Sequence, residues 1–318
     1  MTAREAVKAA IQHRECGRIP YSIDFTPEAS SLLQKAVGCA NVEGWIDNDI
    51  QSVDVPWWNW HNLGPDWAGP STPLSRPTVI GCGSYDGIED RLKAARDASD
   101  KYFLVRIYGS HFEKAYFSRG IENLLCDMAA DLAFARKLHN TIIEKNLVML
   151  ENFLHIPGID GVLLGSDWGA QRGLLMSPDI WEDIIRPGEQ REYELVHSYG
   201  KDVWVHSCGC INAIIPQLVD MGLDVLNPVQ PECMDIAELK RLYGDKLAFW
   251  GGISTQKTMP FGTPDEVRAE AREVRRLMSK GGGYIFSPAQ AIQEDVPVQN
   301  VIALIETAKE TREGAPHL

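Results

Sequence analysis

The sequence has no surplus of basic side chains. Its 31 Lys and Arg stand against 44 Asp and Glu, a formal net charge of −13. Nucleic acids and anionic membrane surfaces are bound through cationic patches that displace counterions, so this balance argues against both partners. Long apolar runs are missing as well: no stretch approaches the roughly 20 residues of a membrane span. The opening MTAREAVKAAIQHREC lacks the basic-then-apolar order of a secretory leader and reads as a short amphipathic helix. A cytoplasmic protein is therefore expected. No self-similarity recurs at a period of roughly 20 to 50 residues, which excludes solenoids and propellers. No GxGxxG follows the first strand-like run, which weakens a doubly wound dinucleotide-binding sheet. The glycine-bearing GCGSYDG (81–87) lacks a strand-to-helix context and reads as a loop. Cysteine is sparse, seven in 318 residues. Their odd number and wide spacing argue against a disulfide framework. Cys16, Cys39, Cys82, Cys126 and Cys233 stand alone and read as small buried hydrophobes. Only Cys208 and Cys210 lie close together, a pattern more fitting for metal binding or catalysis.

What is present is a globular pattern. Hydrophobic residues make up 44% and charged residues 24%, which excludes disorder and collagen-like or coiled-coil chains. Short apolar runs alternate with longer helical stretches. RIPYSIDF (18–25), SVDV (52–55), YFLVRI (102–107), DGVLLG (160–165), DVWVH (202–206), LDVLN (223–227), LAFWGG (247–252) and GYIFS (283–287) read as strands. Ser177-Pro178 and Thr263-Pro264 open helices as N-cap and first residue, and Gly200 and Gly281 fall where helices stop. Charge runs such as Glu144-Lys145 read as solvated helix faces. Apolar strands alternating with helices predict an α/β fold, a single (β/α)8 TIM barrel over residues 1–318. PWWNWHNLGPDWAGPSTPLSRP (56–77) breaks the pattern and reads as an inserted Trp/Pro-rich loop in the N-terminal third, over one end of the barrel.

In such a barrel the chemistry sits where strands end. Polar residues gather there: Tyr108 and His111 after the third strand, Asp167, Trp168 and Arg172 after the fourth, His206 and Cys208 at the fifth. Gln230 follows the sixth and Gln290 the eighth. His206-x-Cys208 carries the sharpest signal. In an extended strand residues i and i+2 share a face, so imidazole and thiolate could grip one ion, with zinc favoured by N and S donors. Asp167 and Gln290 are candidates to complete the set. A hydrogen-bonded histidine beside an inert thiol stays open on spacing alone. Arg172 suits a carboxylate or phosphate, or a surface ion pair.

The runs VWVHSCGCINAIIPQLVDMGLDVLNPVQP (203–231), LAFWGGISTQKTMPFGTPDEV (247–267) and GGGYIFSPAQAIQEDVPVQNVIALIETAKE (281–310) resemble the uroporphyrinogen decarboxylase superfamily, and DWGAQRGLLMSPDIWEDIIRP (167–187) is similar to its central block. The resemblance implies a (β/α)8 barrel. One branch decarboxylates uroporphyrinogen without a cofactor and carries arginines near the first strand, in a Met-Arg-Gln-Ala-Gly-Arg pattern. The corresponding IPYSIDFTPEA (19–29) has none after Arg18. The other branch comprises corrinoid-dependent methyltransferases, whose His-x-Cys motif binds zinc and whose further cysteine near the last strand falls at about Gln290 here.

The resemblance therefore implies a zinc-dependent methyltransferase that works with a corrinoid partner protein on a small methyl donor or acceptor, such as a methoxylated aromatic. His206 and Cys208 hold the metal in this reading. Asp167 ligates it or orients the substrate, and Arg172, Gln230, Gln290, Tyr108 and Trp168 contact the substrate. A homodimer is what the family suggests. The alternatives are a metal-free decarboxylase, with Asp167 handling the proton and Arg172 the carboxylate, and a binding protein without catalysis.

Overall fold

The computed structural model describes residues 1–55, 86–107 and 109–310. The expected loop at 56–77, Cys82, Tyr108 and most of GCGSYDG lie outside them. Packing divides the chain into two compact units. One comprises Met1–Gln51, Asp100–Tyr102 and Asp224–Leu318, the other Ser52–Ser99 and Phe103–Leu223. Nine strands occur among the described residues: β1 (Ile50–Val53), β2 (Tyr102–Ile107), β3 (Gly161–Gly165), β4 (Gly169–Ala170), β5 (Gly173–Leu174), β6 (Asp202–His206), β7 (Val225–Asn227), β8 (Ala248–Ile253) and β9 (Tyr284–Pro288). No helix among the described residues is long and apolar enough to cross a membrane.

In the unit ending at Leu223, β2, β3 and β6 lie side by side and parallel. Their register pairs Val105 with Val162 and Gly165 with His206. Phe103, Leu104, Val162, Val203, Trp204 and Val205 are all fully buried, which is why these strands read as continuous apolar runs. Asp160 pins the entrance of β3. Its carboxylate accepts from Phe103 N at 2.8 Å and from Arg96 Nη2 at 2.7 Å. Helix Leu132–Leu154 packs on helix Arg186–Ser198, where Gly188 leaves room for Ile143. Glu144 pairs with Arg191 at 2.6 Å, but Lys145 is buried rather than solvated, because this helix buries part of its charged stripe under its neighbours.

Ser177 caps Ile180 N as expected. From Pro178 the chain stays helical to Ser198 through a wide π-type turn at Trp181–Ile185. Pro187 cannot donate to the helix ladder, and a local widening of this kind accommodates the missing bond.

The other unit holds β7, β8 and β9, parallel and in sequence order, with Leu226 opposite Phe249 and Phe249 opposite Tyr284. The strand expected at 18–25 is reduced to two isolated bridges, Tyr21 with Phe286 and Phe25 with Ile292. Pro20 has no N–H to donate. The amides of Tyr21 and Ile23 go instead to the side chains of Asp49 and Asn48, both at 2.9 Å, so a regular ladder cannot form on that side. Helix Pro264–Met278 carries the full capping box, Thr263 with Glu266. It is laced to helix Val298–Lys309 and the residue after it by Arg268–Glu306 and Arg272–Glu310.

No cysteine is disulfide-bonded among the described residues. The isolated ones are not the buried hydrophobes expected: Cys126 is exposed and Cys16, Cys39 and Cys233 are half-buried. Short polar contacts explain two of them, since the thiols of Cys16 and Cys39 donate to the carbonyls of Arg18 and Asn41.

Candidate active site and metal centre

The register of β3 against β6 builds the site. Because Gly165 faces His206, the residues following each strand emerge together. Ser166 N donates to His206 O at 2.9 Å, and Trp168 N to Ser207 Oγ at 3.1 Å. Cys208 N donates to Asp167 Oδ1 at 2.8 Å. These bonds bring three side chains of metal-ligating type, Asp167, His206 and Cys208, to one point. His206 Nε2 lies 3.3 Å from Cys208 Sγ and 3.7 Å from Asp167 Oδ1. The Asp167 and His206 side chains are 37% and 26% exposed, so a fourth position would be open to a ligand from outside.

A short antiparallel hairpin, β4 with β5, follows Asp167. It packs against the Cys208 loop so closely that side chains would not fit. A Cβ on Gly169 would lie 2.5 Å from Cys208 O, and one on Gly209 would lie 2.5 Å from Gly169 C. Gly209 also holds a φ of +81°, the left-handed region that glycine enters without penalty. Cys210 N closes the contact by donating to Ala170 O at 2.8 Å.

Arg172 sits in the two-residue turn between β4 and β5 and is exposed. Trp168, expected to touch substrate, has no exposed surface; its indole packs edge-on against Trp181 with centroids 5.5 Å apart, so it is a packing residue. Gln230 and Gln290 belong to the other unit. There Gln230 accepts a weak bond from Cys233 Sγ at 3.8 Å, and Gln290 accepts from Ala291 N at 3.2 Å.

Sequence reasoning missed Glu113. It lies on helix His111–Arg119, almost wholly buried, and accepts from Tyr116 OH at 3.2 Å. A Cβ on Gly165 would meet its Oε2 at 2.9 Å, so its carboxyl rests against the end of β3. Burial, and then the negative charge of Asp167, push its pKa up to about 7. The same helix carries His111 and Lys114, which are wholly buried alongside Glu189 and Glu192 from helix Arg186–Ser198. His-Phe-Glu-Lys, the sequence of that turn, offered the signal, but nothing in its spacing said that the charges would be buried.

Residues 112–311 match the family model described as uroporphyrinogen decarboxylase (URO-D). Among curated proteins, the chain is 31% identical over 136 residues to the methylcobamide:CoM methyltransferase MtaA of Methanosarcina barkeri, covering 43% of this chain and 38% of that one. It is 25% identical over 179 residues to the uroporphyrinogen decarboxylase of Chlorobium phaeobacteroides, covering 55% and 47%. The matched segments thus span less than half the length of these relatives. A solved methyltransferase from Methanosarcina mazei superposes with a TM-score of 0.70 at 16% identity, covering 98% of this chain and 99% of that one. That likeness carries the fold, an α/β, TIM-barrel-like one, in agreement with the sequence reading.

Proposed function

The chain belongs to the uroporphyrinogen decarboxylase family, and from that premise we propose that it is a zinc-dependent methyltransferase that takes a methyl group from a methoxylated aromatic or similar small donor and passes it to a corrinoid protein. The observation that carries this reading is the convergence of Asp167, His206 and Cys208. Tetrahedral zinc with bonds of about 2.0–2.3 Å sets its ligand atoms roughly 3.3–3.6 Å apart, close to the 3.3 and 3.7 Å found here. An imidazole, a thiolate and a carboxylate are a suitable donor set, and the exposed side leaves the open position that a catalytic ion requires. The similarity to a methylcobamide methyltransferase supports the same choice, as does the absence of arginines over 19–29.

When bound, zinc would supply a Lewis acid that makes the donor's oxygen a better leaving group. The chain's own residues would do the rest. The amide of Cys208 fixes Asp167 Oδ1, so that carboxylate arrives oriented. The closely packed β4–β5 hairpin keeps the Cys208 loop in place. Glu113 would hold a proton on its carboxyl near neutral pH, and Arg172, at the hairpin tip, would meet a substrate carboxylate by its planar fork.

The test is metal content of the purified protein beside a His206→Ala, Cys208→Ala double variant, with methyl transfer to cob(I)alamin as the activity. Loss of about one zinc per chain in the variant, together with loss of transfer, is expected. Equal zinc in both proteins would overturn the reading. Metal-independent turnover of a carboxylated substrate would favour the decarboxylase alternative, for which a carboxyl already protonated near neutral pH, Glu113, is the supporting observation.

A further inference from the structure

Behind the candidate active site, in the same unit, lies a second convergence of ligand atoms. His111 Nδ1 is 3.1 Å from Glu189 Oε1 and 3.5 Å from Glu192 Oε2, and all three side chains have no exposure at all. Two further observations point to a ligand between them. His111 Nε2 has no hydrogen-bond partner, and Nδ1 is shared between two carboxylates, at 3.1 and 3.5 Å, without a well-aligned bond to either. Glu189 Oε2 is likewise buried without a well-aligned partner, the nearby Tyr193 hydroxyl being the group that meets this carboxylate. Polar atoms sealed from water and left unpaired are costly, and a cation among them would remove that cost.

The surroundings resemble those that orient metal ligands. Asn146 Nδ2 donates to Glu192 Oε1 at 2.7 Å, and Ser110 Oγ to Glu192 Oε2 at 3.0 Å. Ser166 Oγ reaches Glu189 Oε1 at 3.4 Å. Such outer bonds fix the direction of ligating carboxylates. His139 stands edge-on to His111 with centroids 5.5 Å apart, a second imidazole beside the first.

We propose that His111, Glu189 and Glu192 form a buried site for a small divalent cation, distinct from the centre at Asp167, His206 and Cys208. The separations of 3.1 and 3.5 Å bracket those set by an ion with bonds of about 2.0–2.2 Å to nitrogen and oxygen. One imidazole and two carboxylates, with no sulfur, suit manganese, ferrous iron or zinc. With the ion in place the two carboxylates are neutralised and His111 is a neutral ligand. The competing arrangement has no ion: His111 and Lys114 both carry charge and balance Glu189 and Glu192.

The two arrangements separate experimentally. The full-length His206→Ala, Cys208→Ala variant removes the thiolate site, so its remaining metal reports only on the buried one. This protein is unfolded in urea with chelator and refolded with Mn²⁺, then desalted. About one Mn²⁺ per chain is expected, with nitrogen hyperfine coupling from one imidazole in the Mn²⁺ spin-echo spectrum. Adding Glu189→Gln, which keeps the side chain's shape, should cut retention at least about tenfold while circular dichroism stays native. Should that triple variant fail to fold, the double variant still decides: refolding with Mn²⁺ should raise its melting temperature relative to refolding with chelator. Native-like refolding with no retained Mn²⁺ and no such rise would overturn the proposal, as would retention unchanged by Glu189→Gln. Neither result depends on whether the Cys208 centre carries out methyl transfer.

Discussion

Replacing Gly209 by alanine probes how tightly the β4–β5 hairpin holds the Cys208 loop. The added Cβ would lie 2.5 Å from Gly169 C and 2.7 Å from both Gly169 O and Ala170 O. All three are backbone atoms and cannot swing aside as a flexible side chain would. The φ of +81° adds about 1–2 kcal/mol for any residue with a Cβ. Forcing the two backbones apart adds about 1–3 kcal/mol. The loss should therefore be roughly 2–5 kcal/mol. Gly200→Ala is the matched control: its φ is +66°, and nothing lies within 4 Å of the added Cβ. It should show the backbone part alone, about 1–2 kcal/mol. Urea unfolding of both variants measures the difference. Zinc titration of Gly209→Ala should also show weakened binding, because the displaced loop carries Cys208. If the two alanine variants unfold within about 0.5 kcal/mol of each other, the packing argument is wrong.

Three other outcomes follow from the geometry. Asp160→Ala leaves buried Phe103 N unpaired, while Arg96, a quarter exposed, keeps the Gly158 carbonyl; it should cost about 1–3 kcal/mol in urea unfolding, with Asp160→Asn recovering part of it through its remaining acceptor. Thr263→Ala breaks the capping box of helix Pro264–Met278 and should cost about 1 kcal/mol by the same assay. Glu113 binds its proton more tightly in the folded chain, with a pKa of about 7 against an ordinary value of 4.5. Its contribution is therefore complete below about pH 4.5 and is lost as pH rises to about 7, a decline of roughly 3 kcal/mol at 1.4 kcal/mol per pH unit. Glu113→Gln should flatten that decline when unfolding midpoints at about pH 5 and pH 7.5 are compared; an unchanged slope would show that the carboxyl is not desolvated as described.

Periodicity made much of the fold legible. β2 and β6 coincide with the runs read at 102–107 and 202–206, because strands buried on both faces must be apolar throughout. The helix starts at Pro178 and Pro264 were legible for a local reason: a proline behind a capping hydroxyl suits few other conformations. The run at 18–25 misled because its composition suits a strand while its hydrogen bonds are claimed by Asn48 and Asp49, a competition decided by residues more than 20 positions away. The β4–β5 hairpin is too short to leave a periodic trace. Trp168 looked available because it follows Asp167, yet its ring turned inward to meet Trp181.

The sequence by itself determined the alternation of strands and helices, the acidic balance, and the pairing of His206 with Cys208, since each depends on neighbours along the chain. Which carboxylate joins that pair was a tertiary matter. Asp167 reaches His206 because β3 and β6 are adjacent and in register, and the hydrogen bond from Cys208 N then holds it there. The burial of Glu113, His111, Lys114, Glu189 and Glu192 belongs to the same class. A charged residue on a helix reads as solvated, and only the packing of a second helix against it removes the water and changes its chemistry.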